Sequence, residues 1–186
     1  IALMREIPGM GVVNPCDDVE ARAAVKAAYE YVGPVYLRFG RLAVPVLNDE
    51  STYKFEIGKG VKLKDGKDIS IIATGLCVSE AVKAVDMLAA DGIDAELINI
   101  HTIKPIDEDI IAETAQKTGR VFTVEEHSII GGLGSAVAEV LAEKCPTKLT
   151  RIGVRDTFGE SGPAKELLHK YELDAEGIYK QIKAAL

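Results

Sequence analysis

The apolar and polar positions of the chain alternate most regularly after about residue 67. Short apolar runs are separated there by amphipathic stretches of about 10–15 residues, which is the spacing of βαβ units. The first run, Ile-Ser-Ile-Ile-Ala, is apolar almost throughout, as in a strand that is covered on both faces. The runs predict strands at 69–73, 95–100, 120–125 and 149–154. The predicted fold class is therefore α/β, with a mostly parallel sheet and helices on both of its faces.

The amphipathic stretches predict five helices in this second region. Helical spacing of apolar residues and recognisable ends mark them. Gly92 and Gly119 stand where helices should end, and Pro146 follows the third helix. The predicted helices span about 79–90, 107–118, 134–144, 163–171 and 174–185.

The first region, before the middle of the chain, has a shorter pattern of the same kind. Its two predicted strands span 11–15 and 35–39. Asp17 or Asp18 caps a predicted helix that runs to Tyr31. The Gly33-Pro34 pair then breaks this helix. The apolar stripe predicted for the helix comprises Val19, Ala23, Ala27 and Tyr31.

A polar segment at 48–68 separates the two regions and is rich in charged residues and glycine. Its middle predicts a short strand at about 53–57. The sequence Lys-Asp-Gly-Lys at 64–67 predicts a turn. We therefore interpret the segment as a linker.

The composition excludes several classes of function. Of 186 residues, 47% are hydrophobic and 27% are charged, and no apolar run reaches the roughly 18 residues that a membrane helix needs. The net charge of −7 weighs against nucleic acid as a partner, because phosphate binding favours a basic face. The cysteines Cys16, Cys77 and Cys145 form no CxxC motif, which predicts buried thiols in a reducing cytoplasm rather than disulfides or a metal site.

The chain begins at Ile1 instead of Met. Its first residues do not form a secretory signal, because no basic segment precedes an unbroken apolar stretch with a cleavage site. From this opening we expect the chain to be part of a longer enzyme or subunit.

A glycine-rich segment, Gly131 to Ser135, lies between a predicted strand and a predicted helix. A phosphate-binding loop would need this position, because the amides at a helix N-terminus attract anions. The spacing departs from a dinucleotide-binding fingerprint, since Val137 stands where the third glycine belongs, and no P-loop Lys-Ser/Thr pair is present. The favoured alternative is that the glycines let the helix start pack tightly against a neighbouring strand or subunit.

Candidate acid–base residues lie at predicted strand ends. Glu125, Glu126 and His127 end the third strand of the second region, at the sheet edge where ligands of open α/β proteins bind. No nucleophile elbow accompanies them, so a structural or interface role is favoured. The same holds for His101, whereas His169 on a late helix is expected at the surface.

Two arginines are candidates for anion binding. Strand alternation places Arg38 on the face opposite Leu37 and Phe39. Arg41 follows Gly40 at the strand end, where a side chain projects into a cleft, and a guanidinium fork suits a phosphate or a carboxylate. The residues alone leave open whether Arg41 binds such a ligand or forms a surface ion pair.

Three stretches carry a resemblance to a known family: GPVYLRFGR, INIHTIKPID and TVEEHSIIGGLGSAVAE. The chain resembles transketolase over nearly its whole length, and in particular the separately encoded C-terminal transketolase subunit of bacteria and archaea. The resemblance implies a thiamine-diphosphate enzyme with a diphosphate-binding domain, a pyrimidine-binding domain and a third, C-terminal domain.

On that template the chain divides into three parts. Residues 1–47 resemble the tail of the pyrimidine-binding α/β domain, 48–66 form a linker, and 67–186 resemble the C-terminal domain. The family's cofactor-activating glutamate, its pyrimidine-binding aromatic residues and its sugar-binding histidine and aspartate have no matching position here. The resemblance thus implies that thiamine diphosphate and Mg²⁺ serve the intact enzyme, with no cofactor, catalytic residue or metal ligand held by this chain alone.

One substrate contact of the family has a match, the arginine that binds the sugar phosphate, which we place at Arg41 with Arg38 as the alternative. The implied reaction of the intact enzyme moves a two-carbon glycolaldehyde unit from a ketose phosphate to an aldose phosphate, in the pentose phosphate pathway. The implied partners are an N-terminal transketolase subunit or the upstream domains, sugar phosphates, and further copies in a homo-oligomer such as a dimer. We expect a cytoplasmic location and no activity from the isolated piece.

Two alternatives stay open. Within the superfamily, the chain could belong to a 1-deoxyxylulose-5-phosphate synthase or to the β subunit of a 2-oxo acid dehydrogenase, although EEHSIIGGLGS fits transketolase better. Outside enzymes, it could be a non-catalytic interaction or dimerisation module.

Overall fold

The computed structural model describes residues 1–186, which form seven helices and eight strands. In chain order they are α1 (Ala2–Glu6), β1 (Gly11–Val13), α2 (Asp18–Glu30), β2 (Val35–Leu37), β3 (Val61–Lys64), β4 (Ile69–Ala73), α3 (Cys77–Ala90), β5 (Ala95–Asn99), β6 (Thr102–Lys104), α4 (Glu108–Thr118), β7 (Arg120–Ser128), α5 (Leu133–Lys144), β8 (Lys148–Val154), α6 (Ala164–Lys170) and α7 (Ala175–Ala185).

A five-stranded sheet in the order β3-β5-β4-β7-β8 forms the centre of the second region. Four strands are parallel, and only the edge strand β3 runs antiparallel to its neighbour β5. Ile71 and Phe122 pack with α3 and α7 on one face, whereas Ile72 and Val121 pack with α4 and α5 on the other. The predicted fold class, with helices on both faces, is confirmed.

Six of the seven helices agree with the prediction to within two residues at each end, and α1 is the additional one. The predicted ends have the expected geometry: Asp107 accepts a hydrogen bond from the Ile110 backbone at 3.3 Å, and Gly119 ends α4 with a φ of 67°. None of the helices is both long enough and apolar enough to cross a membrane.

A second sheet of three short strands, β2-β1-β6, joins the two regions. β1 and β2 are parallel, and β6, which follows β5 in the chain, runs antiparallel to β1. Lys104 in β6 donates from Nζ to the backbone oxygens of Arg5 at 2.7 Å and Ile7 at 2.8 Å, at the C-terminal end of α1. The second region thus supplies both a strand and a cation to the first.

The strand predicted at 53–57 is wrong, because no neighbouring strand pairs with this segment. Individual side chains hold it instead. The Tyr53 hydroxyl donates to the carboxylate of Glu20, and the Phe55 ring stacks on His101 with 4.2 Å between centroids. The linker is therefore fixed to both regions by contacts that no local pattern reveals.

The strand that this polar segment does form is β3, at the edge of the main sheet. Its Lys62 pairs with the fully buried carboxylate of Glu96 at 2.9 Å, and Lys117 approaches the same carboxylate at 3.2 Å. Two cations and the Thr114 hydroxyl compensate the buried charge of Glu96. The loop at 65–68 follows, so the predicted turn begins one residue later.

Helix α2 begins after Asp17, whose carboxylate accepts from the backbone N–H of Glu20 at 2.8 Å, as predicted for a capping residue. Its buried residues are Val19, Glu20 and Ala24, whereas the predicted stripe comprises Val19, Ala23, Ala27 and Tyr31. Glu20 turns inward because its carboxylate accepts from the Cys16 backbone at 2.6 Å, from Asn99 Nδ2 at 2.8 Å and from the Tyr53 hydroxyl. These donors satisfy the buried carboxylate and link α2 to β5 and to the linker.

Candidate functional site

Arg38 is bound within the protein. Its backbone N–H donates to the Val13 oxygen at 2.8 Å, just past the last paired residues of β1 and β2. Its side chain is only 23% exposed, and the guanidinium donates to Asn14 Oδ1 at 3.4 Å and to the Glu126 backbone oxygen at 3.2 Å. The Glu126 carboxylate completes an ion pair at 3.4 Å. Both terminal nitrogens of the Arg38 guanidinium therefore have partners within the protein.

Arg41, three residues later, is exposed and has no hydrogen bond or ion pair with the rest of the protein. It borders a cleft of about 270 Å³ between the segment after β2, the ends of β7 and β8, and α6. The apolar lining comprises Leu42, Leu76, Val154, Ala164, Leu167, Leu168, Tyr171 and Leu173. The carboxylates at the cleft are Glu126, paired with Arg38, and Glu160, paired with Lys170 at 2.6 Å. Arg41 is thus the unpaired cation at this cleft.

An unpaired guanidinium offers up to five N–H donors in a planar fork, which matches the oxygens of a phosphate, sulfonate or carboxylate. It carries its charge at every accessible pH and does not act as an acid or base. Arg41 can therefore hold the anionic end of a ligand without taking part in bond breaking.

Glu125 occupies the N-terminus of α5. Its buried carboxylate accepts from the backbone N–H groups of Leu133 at 2.7 Å and Gly134 at 2.8 Å. Burial raises the pKa of this carboxyl to about 7, against the opposing effect of the two N–H donors. The amides that a bound phosphate would use are therefore taken.

The glycines of the same loop are explained by close packing. A Cβ at Gly132 would overlap the Glu125 carboxylate, and one at Gly134 would come within 2.8 Å of Arg151 and Thr123. These contacts favour the packing explanation of Gly131 to Ser135 over a nucleotide site. Glu125 packs against these glycines, whereas its neighbour Glu126 pairs with Arg38, so the two adjacent glutamates of β7 have different roles.

The three histidines differ in burial and in their hydrogen-bond partners. His101 is buried against Phe55, with Nδ1 2.9 Å from Thr102 Oγ1, and burial lowers its pKa. His127 is half-buried with its pKa lowered by burial, and its Nδ1 lies 3.0 Å from a backbone oxygen. His169 is exposed and its Nδ1 lies 2.7 Å from Asp174, as expected for a surface residue.

The cysteines are all free, and no group of three or more His, Cys, Asp or Glu side chains is arranged to hold a metal ion. Cys16 and Cys77 are buried, and burial raises the pKa of both thiols. They pack as small apolar residues in one core, as predicted, whereas Cys145 is only half-buried and packs against the other core.

The pairing of Glu126 with Arg38 is the feature of the site that sequence reasoning missed. Glu125 and Glu126 are adjacent in β7, so strand alternation sends their side chains to opposite faces. That alternation is the available signal that the two glutamates do different work. Nothing local, however, indicates that Arg38, 88 residues earlier, is the partner.

Comparison with known families assigns both regions. The family described as transketolase, C-terminal domain, matches residues 58–178, and the transketolase pyrimidine-binding domain family matches residues 1–46. The resemblance seen in the sequence is thereby confirmed. Enzymes of this family depend on thiamine diphosphate.

Several proteins are similar over almost the whole chain. A putative transketolase C-terminal section of Methanocaldococcus jannaschii is 50% identical over 184 residues, which cover 98% of this chain and 57% of that protein. A 6-deoxy-6-sulfo-D-fructose transketolase subunit of a Clostridium species is 46% identical over 97% of this chain and 56% of its own length. A 1-deoxy-D-xylulose-5-phosphate synthase of Geobacter sulfurreducens is 38% identical over 100% of this chain and 30% of its length.

A solved structure gives the same result. A split-gene transketolase, described as an inactive β4 tetramer, has a TM-score of 0.95 and 48% identity, covering 100% of this chain and 60% of its own. The chain spans a little over half the length of the transketolase relatives named above. Since the C-terminal-domain family alone matches more than half of its residues, the chain belongs to the transketolase family.

Proposed function

We propose that this chain works as the C-terminal part of a transketolase that transfers a two-carbon glycolaldehyde unit from a ketose phosphate to an aldose phosphate. Arg41 binds the phosphate of the sugar. The observation that carries this role is the unpaired guanidinium of Arg41 at a cleft whose carboxylates are already paired. The relatives named as subunits or sections of transketolases support the reaction class.

A phosphate contact at Arg41 contributes binding energy remote from the reacting carbons. Such energy orients the sugar for reaction, and its loss is felt mainly as weaker binding of phosphorylated substrates. We therefore expect Arg41 to affect KM and not the rate of the chemical step.

The residues present do not fit the diphosphate and Mg²⁺ of the cofactor. The helix N-terminus that could receive a diphosphate is closed by Glu125, and no cluster of acidic or histidine side chains is available for the metal. We therefore propose that an N-terminal subunit or upstream domain supplies that site, and we derive no catalytic step from this chain.

Assembly is part of the proposal. The similar split-gene transketolase is described as inactive when it is a β4 tetramer, which supports an assembled enzyme of two kinds of subunit and no activity from this chain alone. The free cysteines fit a location in the reducing cytoplasm, and the role fits the pentose phosphate pathway.

The test combines the full-length subunit with its N-terminal partner, thiamine diphosphate and Mg²⁺. We expect glycolaldehyde transfer from xylulose 5-phosphate to ribose 5-phosphate, and none from the subunit alone. Arg41→Ala should raise KM for phosphorylated sugars about 10- to 100-fold with kcat nearly unchanged. Arg155→Ala, an exposed arginine outside this cleft, is the matched control, and an unchanged KM for Arg41→Ala would remove the proposed role.

A second candidate is 1-deoxyxylulose-5-phosphate synthase, because synthases of this kind are similar over the whole chain. The same reconstituted enzyme would then release CO₂ from pyruvate in the presence of glyceraldehyde 3-phosphate. Release of CO₂ without glycolaldehyde transfer would replace the first proposal with this one.

A further inference from the structure

The segment that carries Arg41 is anchored on one side by Arg38. The chain leaves β2 after Leu37 and has no regular structure from Arg38 to Pro45, so its course depends on individual contacts. Arg38 supplies four of them, one from its backbone to Val13 and three from its guanidinium to Asn14 and Glu126. The two guanidinium contacts with Glu126 cross from the first region into the second.

The groups that hold Arg38 are themselves fixed. Asn14 donates from Nδ2 to Thr74 Oγ1 at 3.2 Å, and its backbone N–H donates to the His101 oxygen at 2.8 Å. Gly75 has a φ of 58°, and a Cβ there would come within 2.5 Å of the Asn14 side chain. The ends of β1, β4 and β7 therefore converge on Arg38 as a rigid anchor.

The charge of Glu126 gives the anchor a second task. Glu126 borders the same cleft as Arg41 and is 38% exposed at its side chain. Without Arg38, this carboxylate would be an unpaired anion beside the cation that receives the substrate. It would repel a phosphate and compete with it for Arg41.

We propose that Arg38 is a positioning residue for Arg41: it fixes the segment that presents Arg41 and neutralises Glu126, so that Arg41 stays free for the anionic end of the substrate. This inference rests on the proposed function, since it assigns a task to a residue that acts through the phosphate contact. Arg38 itself does not line the cleft.

The experiment uses the reconstituted full-length enzyme and measures KM and kcat for xylulose 5-phosphate and for xylulose. Arg38→Gln should raise KM for the phosphorylated sugar about 10-fold, because a bound guanidinium is lost and Glu126 is left unpaired. The variant should leave kcat nearly unchanged, and KM for xylulose should not change. Arg38→Lys keeps the charge but not the planar fork, so KM should rise about threefold.

Two double variants test whether Arg38 acts through Arg41. In an Arg41→Ala background, Arg38→Gln should raise KM much less than it does in the wild type, because only the direct repulsion of the phosphate by Glu126 remains. Adding Glu126→Gln to Arg38→Gln should lower KM again, because the competing charge is removed. A merely structural role for Arg38 would produce neither result.

Glu139→Gln is the matched control. It removes another Arg–Glu ion pair between the two regions, Arg5 with Glu139 at 2.6 Å, on a different part of the surface, and KM should not change.

If Arg41→Ala raises KM but neither Arg38 variant does, the positioning role is wrong and the phosphate contact stands. If Arg41→Ala leaves KM unchanged, the phosphate contact fails and the positioning role fails with it. Should Arg38→Gln not fold, Arg38→Lys decides in the same way.

Discussion

The two regions of the chain differ in how completely their sheets are covered. In the second region, every residue of β4 and β5 is buried between two layers of helices. In the first region, β2 is only half-buried along its length, and Tyr29 and Val32 are 90% and 98% exposed. The first region nevertheless carries Arg41. Strand β6 of the second region completes its sheet, and Lys104 of β6 donates to its backbone. The comparison teaches that Arg41 comes from the less covered region, whereas most of the cleft that it borders is built by the second region. Both apolar cores also include residues of the first region, such as Cys16 and Val12.

The largest expected effect lies in the covered sheet. Phe122 is fully buried in the core between β7 and helices α3 and α7. Phe122→Ala should lower the free energy of unfolding by about 3–5 kcal/mol, because it removes apolar contact and leaves a cavity. Denaturant unfolding of the full-length subunit at fixed concentration measures the change.

Phe158 is the matched control, because it is the same residue type with 97% of its surface exposed. Phe158→Ala should change the free energy of unfolding by less than about 0.5 kcal/mol. Equal losses in the two variants would mean that burial in the main sheet does not set the stability.

The next largest effect is a pH dependence of the free energy of unfolding, which comes from Glu125 at the edge where the two regions meet. Because burial raises the pKa of Glu125 to about 7, ionising it costs more in the folded chain than in the unfolded chain. Glu125 therefore lowers the stability progressively as the pH rises from about 4 to about 8, by about 3 kcal/mol in total, most of it between pH 5 and pH 8. At low pH the group is protonated in both states, and this cost is absent.

Glu125→Gln cannot titrate, so the stability of the wild type relative to this variant should fall over the same pH interval. Taking the difference cancels the carboxylates with lowered pKa, such as Asp17, which act in the opposite sense. A difference that stays constant from pH 5 to pH 8, measured by denaturant unfolding at each pH, would contradict the assignment.

A smaller effect comes from the glycine that faces Glu125. Gly132→Ala would displace the Glu125 carboxylate from the amides of α5, at a cost of about 2 kcal/mol, because a buried carboxylate loses its donors. Gly159→Ala is the control, since a Cβ there meets nothing within 4 Å. Thermal unfolding should separate the two variants, and equal melting temperatures would argue against the packing explanation of the glycine loop.

Much of the covered region could be predicted because its pattern is local. β4 is an apolar run as expected for a strand buried on both faces, and Asp107 and Gly119 mark the ends of α4 in the sequence itself. The joining contacts are not local. β6 has only three residues, and its partner β1 lies about 90 residues earlier, so no periodicity indicates it.

The candidate site divides in the same way. Arg41 could be proposed from the resemblance of GPVYLRFGR to a family motif, because a motif is a local string. The pairing of Arg38 with Glu126 and the inward turn of Glu20 depend on tertiary contacts. A glutamate on the predicted polar face of a helix gives no sign that Asn99 and Tyr53 will meet it.

The smallest effect tests whether the two regions open separately. Lys104→Met keeps an apolar stem but removes the two hydrogen bonds to the backbone oxygens of Arg5 and Ile7. The loss should destabilise the small sheet locally by about 1 kcal/mol, which is about a fivefold faster amide exchange in β1. The fully buried strand β4 belongs to the covered sheet and should keep its exchange rate.

Hydrogen exchange of the full-length subunit reads both strands in one experiment. Lys180→Met is the control, because it removes an exposed ion pair with Glu176 that lies one turn away on α7 and touches neither sheet junction. If Lys104→Met speeds exchange in β1 and β4 equally, the two regions open as one unit. Faster exchange in β1 alone would mean that the first region can loosen while the main sheet persists. The Arg38 anchor would then hold Arg41 against that loosening, since its contacts to Glu126 span the same junction.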